Sequence, residues 1–169
     1  DSTRVSSPGT GTSETTVKNQ LKFKLDRLLQ EDGAVFVTTF SSHIERLKSI
    51  LEINDGRRKV AFIGRSLKDY TRPAEELGLI NLSGVRVASY RDEVNDLFDE
   101  ISKARHEWLI TCTGNQGEAR SVLQKLSADE LPLKIKPGDS VIFSSTTIPT
   151  PVNRAERYKV ERALKKKGA

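Results

Sequence analysis

Short apolar runs alternate along the chain with longer stretches in which apolar residues recur every three or four positions. The short runs predict buried strands at residues 34–40, 60–63, 85–88, 108–113 and 141–143. The run at 85–88 is the least apolar and is predicted to lie at a sheet edge. Because strands that alternate with helices need crossover connections, we expect an α/β fold. The prediction is a doubly wound, mostly parallel, Rossmann-like sheet of about five strands, with helices on both faces.

Capping residues and breakers place the helices between these strands. The first helix is predicted over about 14–30. Ser42 and Ser66 are predicted N-caps, since each is followed three residues later by an acidic side chain, and Asp92 is a third. Pro73 is expected to kink or split its helix. The chain is thus divided into an N-terminal loop (1–12), an α/β core (13–150) and a basic C-terminal helix (151–169).

Composition narrows the class of protein. The 169 residues carry a formal net charge of +5, with a pI near 9.4, which is typical of a polyanion binder. No apolar run reaches the ~18 residues of a membrane span, so no membrane partner is expected. Because there is also no signal-peptide pattern, we expect a cytoplasmic protein, which fits a chain whose single Cys112 excludes an intrachain disulfide. The chain begins at Asp1 and contains no Met, so we expect it to be a domain of a longer protein.

Small and polar residues follow four of the predicted strands. These clusters are Phe40-Ser41-Ser42, Gly64-Arg65-Ser66, Thr113-Gly114-Asn115-Gln116-Gly117-Glu118 and Ser144-Ser145-Thr146-Thr147. The carboxyl ends of parallel strands meet at one edge of a sheet, where backbone N–H groups and helix N-termini favour anions. The clusters therefore predict a phosphate-bearing ligand, which the Arg65 guanidinium could hold in a bidentate manner.

Several other kinds of site are excluded or weak. The 114–117 turn lacks the glycine spacing of a dinucleotide fingerprint, and no Gly-Lys-Ser/Thr phosphate loop occurs. His43 and His106 have no His or Cys partner at ligand spacing, so no metal site is predicted within the chain. The last helix is dense in basic residues and could contact a nucleic-acid backbone or dock on a missing domain; both readings stay open.

Five motifs in series carry a family resemblance. They are Asp1-Ser2-Thr3, Thr39-Phe40-Ser41-Ser42-His43, Gly64-Arg65-Ser66, Thr113-Gly114-Asn115-Gln116-Gly117-Glu118 and Phe143-Ser144-Ser145-Thr146-Thr147-Ile148-Pro149. In this order the chain resembles the β-CASP domain of ribonuclease J, an insertion in nucleic-acid-processing members of the metallo-β-lactamase superfamily. The motifs are more similar to the archaeal branch than to the bacterial one. The departure is Thr150-Pro151-Val152-Asn153 after Ile148-Pro149, where bacterial members commonly continue with Gly-Asn-Glu.

The resemblance implies a parent enzyme with two zinc ions, held by a metallo-β-lactamase domain whose histidine motif this sequence lacks. That enzyme would be a 5′-to-3′ exoribonuclease, with endonuclease activity as a further option, in which metal-bound hydroxide attacks the phosphodiester. This chain would be the lid over single-stranded RNA, inactive alone, in a parent for which a homodimer is left open. Asp1 matches the acidic motif that supports the metal centre. The implied substrate contacts are Ser2, Arg65, Ser66, Thr113, Gly114, Asn115, Gln116, Gly117, Glu118, Ser144 and Ser145.

Two alternatives follow from the residues themselves. A stand-alone module could bind a nucleotide or sugar phosphate at the same turns, with saturable binding and little salt dependence. RNA binding instead predicts a steep loss of affinity with salt, because phosphate contacts release counterions. The second alternative is an interaction domain whose basic last helix docks on a protein partner. Reversing the charge of Arg157 and Arg162 would then abolish binding, while substituting Arg65 and Gln116 would leave it untouched.

Overall fold

A computed structural model describes residues 12–169 of the chain. Its five strands are all parallel and form one sheet in the order β3-β2-β4-β1-β5. The strands are β1 (Val35–Thr38), β2 (Lys59–Ile63), β3 (Val85–Ala88), β4 (Trp108–Cys112) and β5 (Ser140–Phe143). The predicted α/β class and the predicted edge position of β3 are confirmed. β4 lies in the centre of the sheet, and all five of its residues are buried.

Helices cover both faces of the sheet. They are α1 (Glu14–Leu28), α2 (Ile44–Asn54), α3 (Arg65–Glu76), α4 (Arg91–Lys103), α5 (Val122–Ser127) and α6 (Pro151–Lys166), with a short 3-10 turn at Arg105–Glu107. One core joins α1, α2 and α3 to the sheet, and a second joins α4, α5 and α6 to the opposite face. Side chains of β1 alternate between the two, since Val35 and Val37 lie in the first core and Phe36 in the second. Because side chains alternate between the two faces of each strand, both faces are apolar and helices pack on both, as a doubly wound fold requires.

The predicted N-caps were wrong: the cap of α2 lies one residue later than the side-chain pattern indicated, and the caps of α3 and α4 each lie two residues earlier. His43 and Gly64 occupy the N-cap positions of α2 and α3, and neither makes a side-chain cap bond. Ser42 precedes the cap of α2, whereas Ser66 lies inside α3. α4 begins one residue before Asp92, and the Glu93 carboxylate accepts the backbone N–H groups of Ser89 and Tyr90 at 3.1 and 3.3 Å.

Pro73 does not split α3, which continues to Glu76. A proline removes one backbone donor, and its ring crowds the carbonyl four residues earlier. Pro73 sits in the last turn of the helix and on its exposed side, where that carbonyl can turn to water. The predicted split of the helix is therefore wrong, and Pro73 costs α3 only one backbone hydrogen bond.

Buried charged groups fix the end of the sheet opposite the strand-end turns. Arg58 is 5% exposed and donates hydrogen bonds to five backbone carbonyls, those of Leu28, Leu29, Glu31, Gly33 and Trp108. Asp139 is 3% exposed, pairs with Arg105 and accepts the backbone N–H groups of Ala34 and Lys136. These bonds join the residues just before β1 to neighbouring segments. They anchor the end of the sheet that lies opposite the strand-end turns.

Candidate functional site

The carboxyl ends of β2, β3 and β4 border an open groove of about 1350 Å³ between α3, α4 and α5. Arg65 and Ser66 enter it from the first turn of α3, Arg91 from the first turn of α4, and Thr113 and Glu118 from the segment after β4. Parallel pairing aligns Ile63 with Ala88, so the residues that follow these two strands reach the groove side by side. The groove therefore collects side chains from three consecutive β-α turns.

Charge in the groove is mixed. Its lining contains five basic residues, Arg65, Arg91, Arg120, Lys125 and Lys134, and four acidic ones, Asp69, Glu118, Asp129 and Glu130. Asp129 pairs with Lys167, and the Glu118 carboxylate accepts the backbone N–H of Gln116 at 2.8 Å. Arg65 and Arg91 are exposed and form no ion pair with any residue in 12–169. Two guanidinium groups at adjacent strand ends are thus available to an anion.

Close packing at Gly64 brings the β2 and β4 turns together. A Cβ on Gly64 would lie 2.9 Å from Thr113 Cγ2, and its φ of +138° is one that few other residues adopt. The Thr113 hydroxyl accepts the backbone N–H of Val122 at 3.2 Å, which connects this turn to the start of α5. Ser66 and Ser41 share a hydrogen bond between their hydroxyls at 2.9 Å. Packing and hydrogen bonds within the protein therefore fix the wall of the groove.

Gln116 and Gly117 face inward rather than into the groove. The Gln116 carboxamide donates to the Thr146 carbonyl at 3.1 Å and accepts the Ile148 N–H at 2.7 Å, so it connects the β4 turn to the segment after β5. A Cβ on Gly117 would lie 2.6 Å from backbone atoms of Glu156 and Arg157, which means that α6 packs directly on this glycine. The turn after β4 is therefore a junction between three parts of the chain.

Arg157 fixes the same turn from α6. Its guanidinium carbon lies 3.3 Å from the centre of the Phe143 ring, and its Nη1 donates to the Asn115 carbonyl. Its Nε donates to Glu161 at 2.6 Å. Removal from water lowers the pKa of Arg157, although the guanidinium stays charged in any ordinary buffer. The Arg157 side chain is 12% exposed and is held by these contacts, so it is not a free surface charge.

Asn115 differs from its neighbours because its side chain has no partner. It is 1% exposed, and neither Nδ2 nor Oδ1 makes a hydrogen bond within the described part of the chain. A buried polar group left without a partner costs roughly 1–3 kcal/mol. The Asn115 carboxamide therefore does not stabilise this state of the fold, in contrast to that of Gln116.

Ser144 and Ser145 also take part in internal hydrogen bonds. Arg46 is buried and donates to the carbonyl and, at 2.9 Å, to the hydroxyl of Ser144. Its other edge makes a bidentate pair with Glu14 at 2.6 and 2.8 Å, and the hydrogen bond from Arg46 lowers the pKa of the Glu14 carboxyl. The Ser145 hydroxyl lies 3.0 Å from that of Thr39. The segment after β5 is therefore anchored to α1 and α2.

Comparisons with known proteins decide the family. Residues 32–160 match the family model described as ribonuclease J, beta-CASP domain.

The chain belongs to the ribonuclease J β-CASP family.

It is 42% identical over 170 residues to ribonuclease J of Pyrococcus abyssi, with 99% of this chain and 37% of that protein aligned. Ribonuclease J of Methanocaldococcus jannaschii is 34% identical over 169 residues, with 98% and 38% aligned. Ribonuclease J of Thermus thermophilus is 40% identical over 152 residues, with 88% and 24% aligned. The chain thus spans less than two fifths of the length of these relatives, and the family resemblance of its motifs is confirmed.

Within this β-CASP domain, the predicted contact residues that the structure describes fall into three sets. Arg65, Ser66, Thr113 and Glu118 line the groove. Gly114, Asn115, Gln116 and Gly117 are buried behind it, while Ser144 and Ser145 are half-buried beyond β1. Asp1 and Ser2, and almost all of the predicted N-terminal loop, lie outside the described residues. The structure thus separates residues that line the groove from residues that lie behind it or beyond β1, and their roles toward substrate stay predictions.

Four basic residues of the groove were missed by sequence reasoning. They are Arg91, Arg120, Lys125 and Lys134. A signal existed for Arg91, since it follows β3 at the start of a helix as Arg65 follows β2. The other three are placed by the fold of the segment around α5 and had no distinct pattern.

No group of three or more His, Cys, Asp or Glu side chains among residues 12–169 is placed to hold a metal ion. Cys112 is fully buried in the core, and burial raises the pKa of its thiol to about 12. Two zinc ions therefore do not fit the described part of the β-CASP domain. The same residues include no helix that is long and apolar enough to cross a membrane.

Proposed function

We propose that this chain is the RNA-binding lid domain of a zinc-dependent ribonuclease. In this proposal it positions single-stranded RNA over a metal centre that a metallo-β-lactamase domain of the same, longer protein supplies. The enzyme would be a 5′-to-3′ exoribonuclease, with endonuclease activity as a further option, and the 169-residue chain alone would not hydrolyse RNA. A cytoplasmic location belongs to the same proposal, and the oligomeric state of the parent is left open between monomer and homodimer.

The observation that carries the proposal is the groove. In a chain of the ribonuclease J β-CASP family, Arg65 and Arg91 stand at the ends of adjacent strands and make no ion pair within the described residues. Guanidinium groups bind phosphate oxygens in a bidentate manner, which suits an RNA backbone or a 5′-phosphate. Ser66 and Thr113 place hydroxyl groups beside them.

The length of the relatives supports the assignment of RNA binding and metal binding to different parts of one longer protein. Most of each matched ribonuclease J lies outside the region that aligns with this chain. Since the described residues do not fit zinc, a metal centre would be formed by that other part of the protein. By resemblance, Asp1 would stand beside that centre, while the residues named in the groove would bind and orient RNA.

The test is binding of a short 5′-monophosphorylated single-stranded RNA, followed by fluorescence anisotropy over a salt series. We expect affinity to fall steeply with salt and to fall further in Arg65→Ala. Arg72→Ala is the matched control, because Arg72 is an exposed arginine on the same helix, pairs with Glu76 and does not line the groove. A nuclease assay with added Zn²⁺, in which the RNA stays intact, would check the inactivity of the isolated chain.

Other results would contradict the proposal. Binding of a mononucleotide that competes fully with RNA and depends little on salt would indicate a small-molecule module instead. Equal effects of Arg65→Ala and Arg72→Ala would show that the groove does not hold the phosphate. Folding of every variant is checked by circular dichroism.

A further inference from the structure

The helix α6 carries an excess of positive charge that the fold does not neutralise. Its basic residues, with the one that follows it, are Arg154, Arg157, Lys159, Arg162, Lys165, Lys166 and Lys167, against Glu156 and Glu161. Both glutamates are engaged, since Glu161 pairs with Arg157 and Glu156 with Lys159, each at 2.6 Å. Lys167 pairs with Asp129. Four exposed cations remain without a carboxylate in residues 12–169, namely Arg154, Arg162, Lys165 and Lys166.

Three of these cations share a face with an exposed aromatic ring. At 100° per residue, Arg154, Tyr158, Arg162 and Lys165 fall within an arc of about 80°, opposite the buried Val160 and Leu164. Tyr158 is 63% exposed and lies one turn from an arginine on either side. We call this face, Arg154, Tyr158, Arg162 and Lys165, the outer stripe; at 1.5 Å per residue it is about 16 Å long.

The outer stripe begins where the candidate site ends. α6 starts at Pro151, directly after the segment that Gln116 holds through Thr146 and Ile148. Its other end lies at the opposite edge of the sheet, where Gly168 packs on Pro137 ahead of β5. The stacked Arg157 and the close contact at Gly117 hold the helix in place. A rigid element therefore leads from the strand-end turns down the side of the domain.

We infer that the outer stripe is a second binding surface for single-stranded RNA, distinct from the groove. Its cations contact phosphates, and Tyr158 stacks on a base. Stacking on an exposed ring requires an unpaired base, which favours a single strand over a duplex. The inference rests on the proposed function in one respect, because it takes RNA as the ligand.

A protein partner fits this face less well. The centre of a protein interface is depleted of charged residues, lysine above all. The outer stripe has three unpaired cations around its single ring, and Lys166 adds a fourth beside it. This pattern is complementary to a polyanion, and an aromatic ring between arginines is a typical surface for unpaired nucleotides.

The experiment compares two 5′-phosphorylated RNAs, one of about four nucleotides and one of about twenty, by anisotropy over a salt series. Tyr158→Ala should weaken the longer RNA at least about five-fold and leave the shorter one unchanged, whereas Tyr158→Phe should retain the affinity. Arg154→Gln with Arg162→Gln should reduce the slope of log affinity against log salt by about 1.4, at about 0.7 per lost contact with a single strand. This pair keeps the test informative if a tyrosine variant folds poorly.

α1 offers matched controls. Phe23 is 83% exposed, and Arg27 lies four residues further on, which reproduces the spacing of Tyr158 and Arg162 on the opposite face of the sheet. Phe23→Ala and Arg27→Gln should leave both RNAs unaffected. Arg65→Ala in the same assay reports on the groove alone.

Unchanged affinity of the longer RNA in all α6 variants, while Arg65→Ala weakens it, would overturn the inference and leave the proposed function standing. That outcome would assign the outer stripe to a protein surface. Equal losses in the α1 controls would also overturn it, since the effect would then be non-specific charge. If neither Arg65→Ala nor the α6 variants weakened RNA binding, the proposed function itself would be wrong.

Discussion

Replacement of Gly117 by alanine should both destabilise the domain and lower its affinity for RNA. The new Cβ would lie 2.6 Å from the backbone nitrogen of Arg157 and from the carbonyl of Glu156. Backbone atoms cannot rotate away as a side chain can, so either α6 or the turn after β4 must move. That turn carries Asn115 and Gln116, which means that the displacement reaches the candidate site.

The magnitude has two parts. The φ of Gly117 is +72°, and a left-handed conformation costs an alanine about 1–2 kcal/mol. Forcing an extra methyl group into a packed contact adds about 1–3 kcal/mol. The free energy of unfolding should therefore fall by about 2–5 kcal/mol in total. For a domain of this size, each lost kcal/mol lowers the melting temperature by about 2–4 °C.

Gly78→Ala separates the two parts. Gly78 has almost the same φ, +70°, but a Cβ there would meet nothing within 4 Å. This variant should lose only the conformational part, about 1–2 kcal/mol. Urea unfolding of both variants, followed by circular dichroism, measures the difference, and RNA anisotropy should show weaker binding in Gly117→Ala alone.

Equal unfolding free energies for the two variants would refute the reasoning, because the contact with α6 would then contribute nothing. A normal RNA affinity in a destabilised Gly117→Ala would show that the turn and the binding site are independent. The first result would leave the positive φ as the sole reason for glycine at this position.

Three further predictions concern buried and titrating groups. Arg58→Ala should lower the unfolding free energy by about 3–5 kcal/mol, measured in urea, because five buried or partly buried carbonyls lose a charged donor. A loss no larger than that of the exposed Arg72→Ala would contradict it. Cys112 should resist iodoacetamide at pH 8 in the folded protein and react in urea, since its pKa is raised to about 12 and the thiolate is scarce; equal labelling in both states would refute this. The lowered pKa of Glu14 means that its contribution to stability is present above the ordinary value of 4.5 and lost as pH falls through the folded value. The stability difference between wild type and Glu14→Gln should therefore shrink in acid, as urea titrations at several pH values would show, and a difference independent of pH would argue against the pair with Arg46.

Burial and position divide these basic residues of the domain into three classes. Arg46, Arg58 and Arg157 are buried and bonded to the protein itself. Arg65 and Arg91 line the groove. Arg154 and Arg162 lie on the outer face of α6. Sequence density alone put Arg157 and Arg162 in one patch, whereas the structure shows that only the second is free to meet a partner.

The hydrophobic periodicity by itself determined the fold class. The run at 108–113, apolar except for two threonines, is typical of a strand buried on both faces, and the helices between such runs require parallel crossovers. The same logic brought the polar turns to one edge of the sheet, because the carboxyl ends of parallel strands coincide. The five motifs in series were also enough to recognise the ribonuclease J β-CASP family.

Only the tertiary structure decided what each polar residue of that edge touches. Strand order is not written in local periodicity, and it is the order β3-β2-β4-β1-β5 that places Arg91 beside Arg65 and moves Ser144 away from both. Gln116 and Asn115 are adjacent in sequence, yet one has two backbone partners and the other has none in the described residues. Those partners come from segments some thirty residues away, so their positions follow from packing across the whole domain, which local propensity cannot encode.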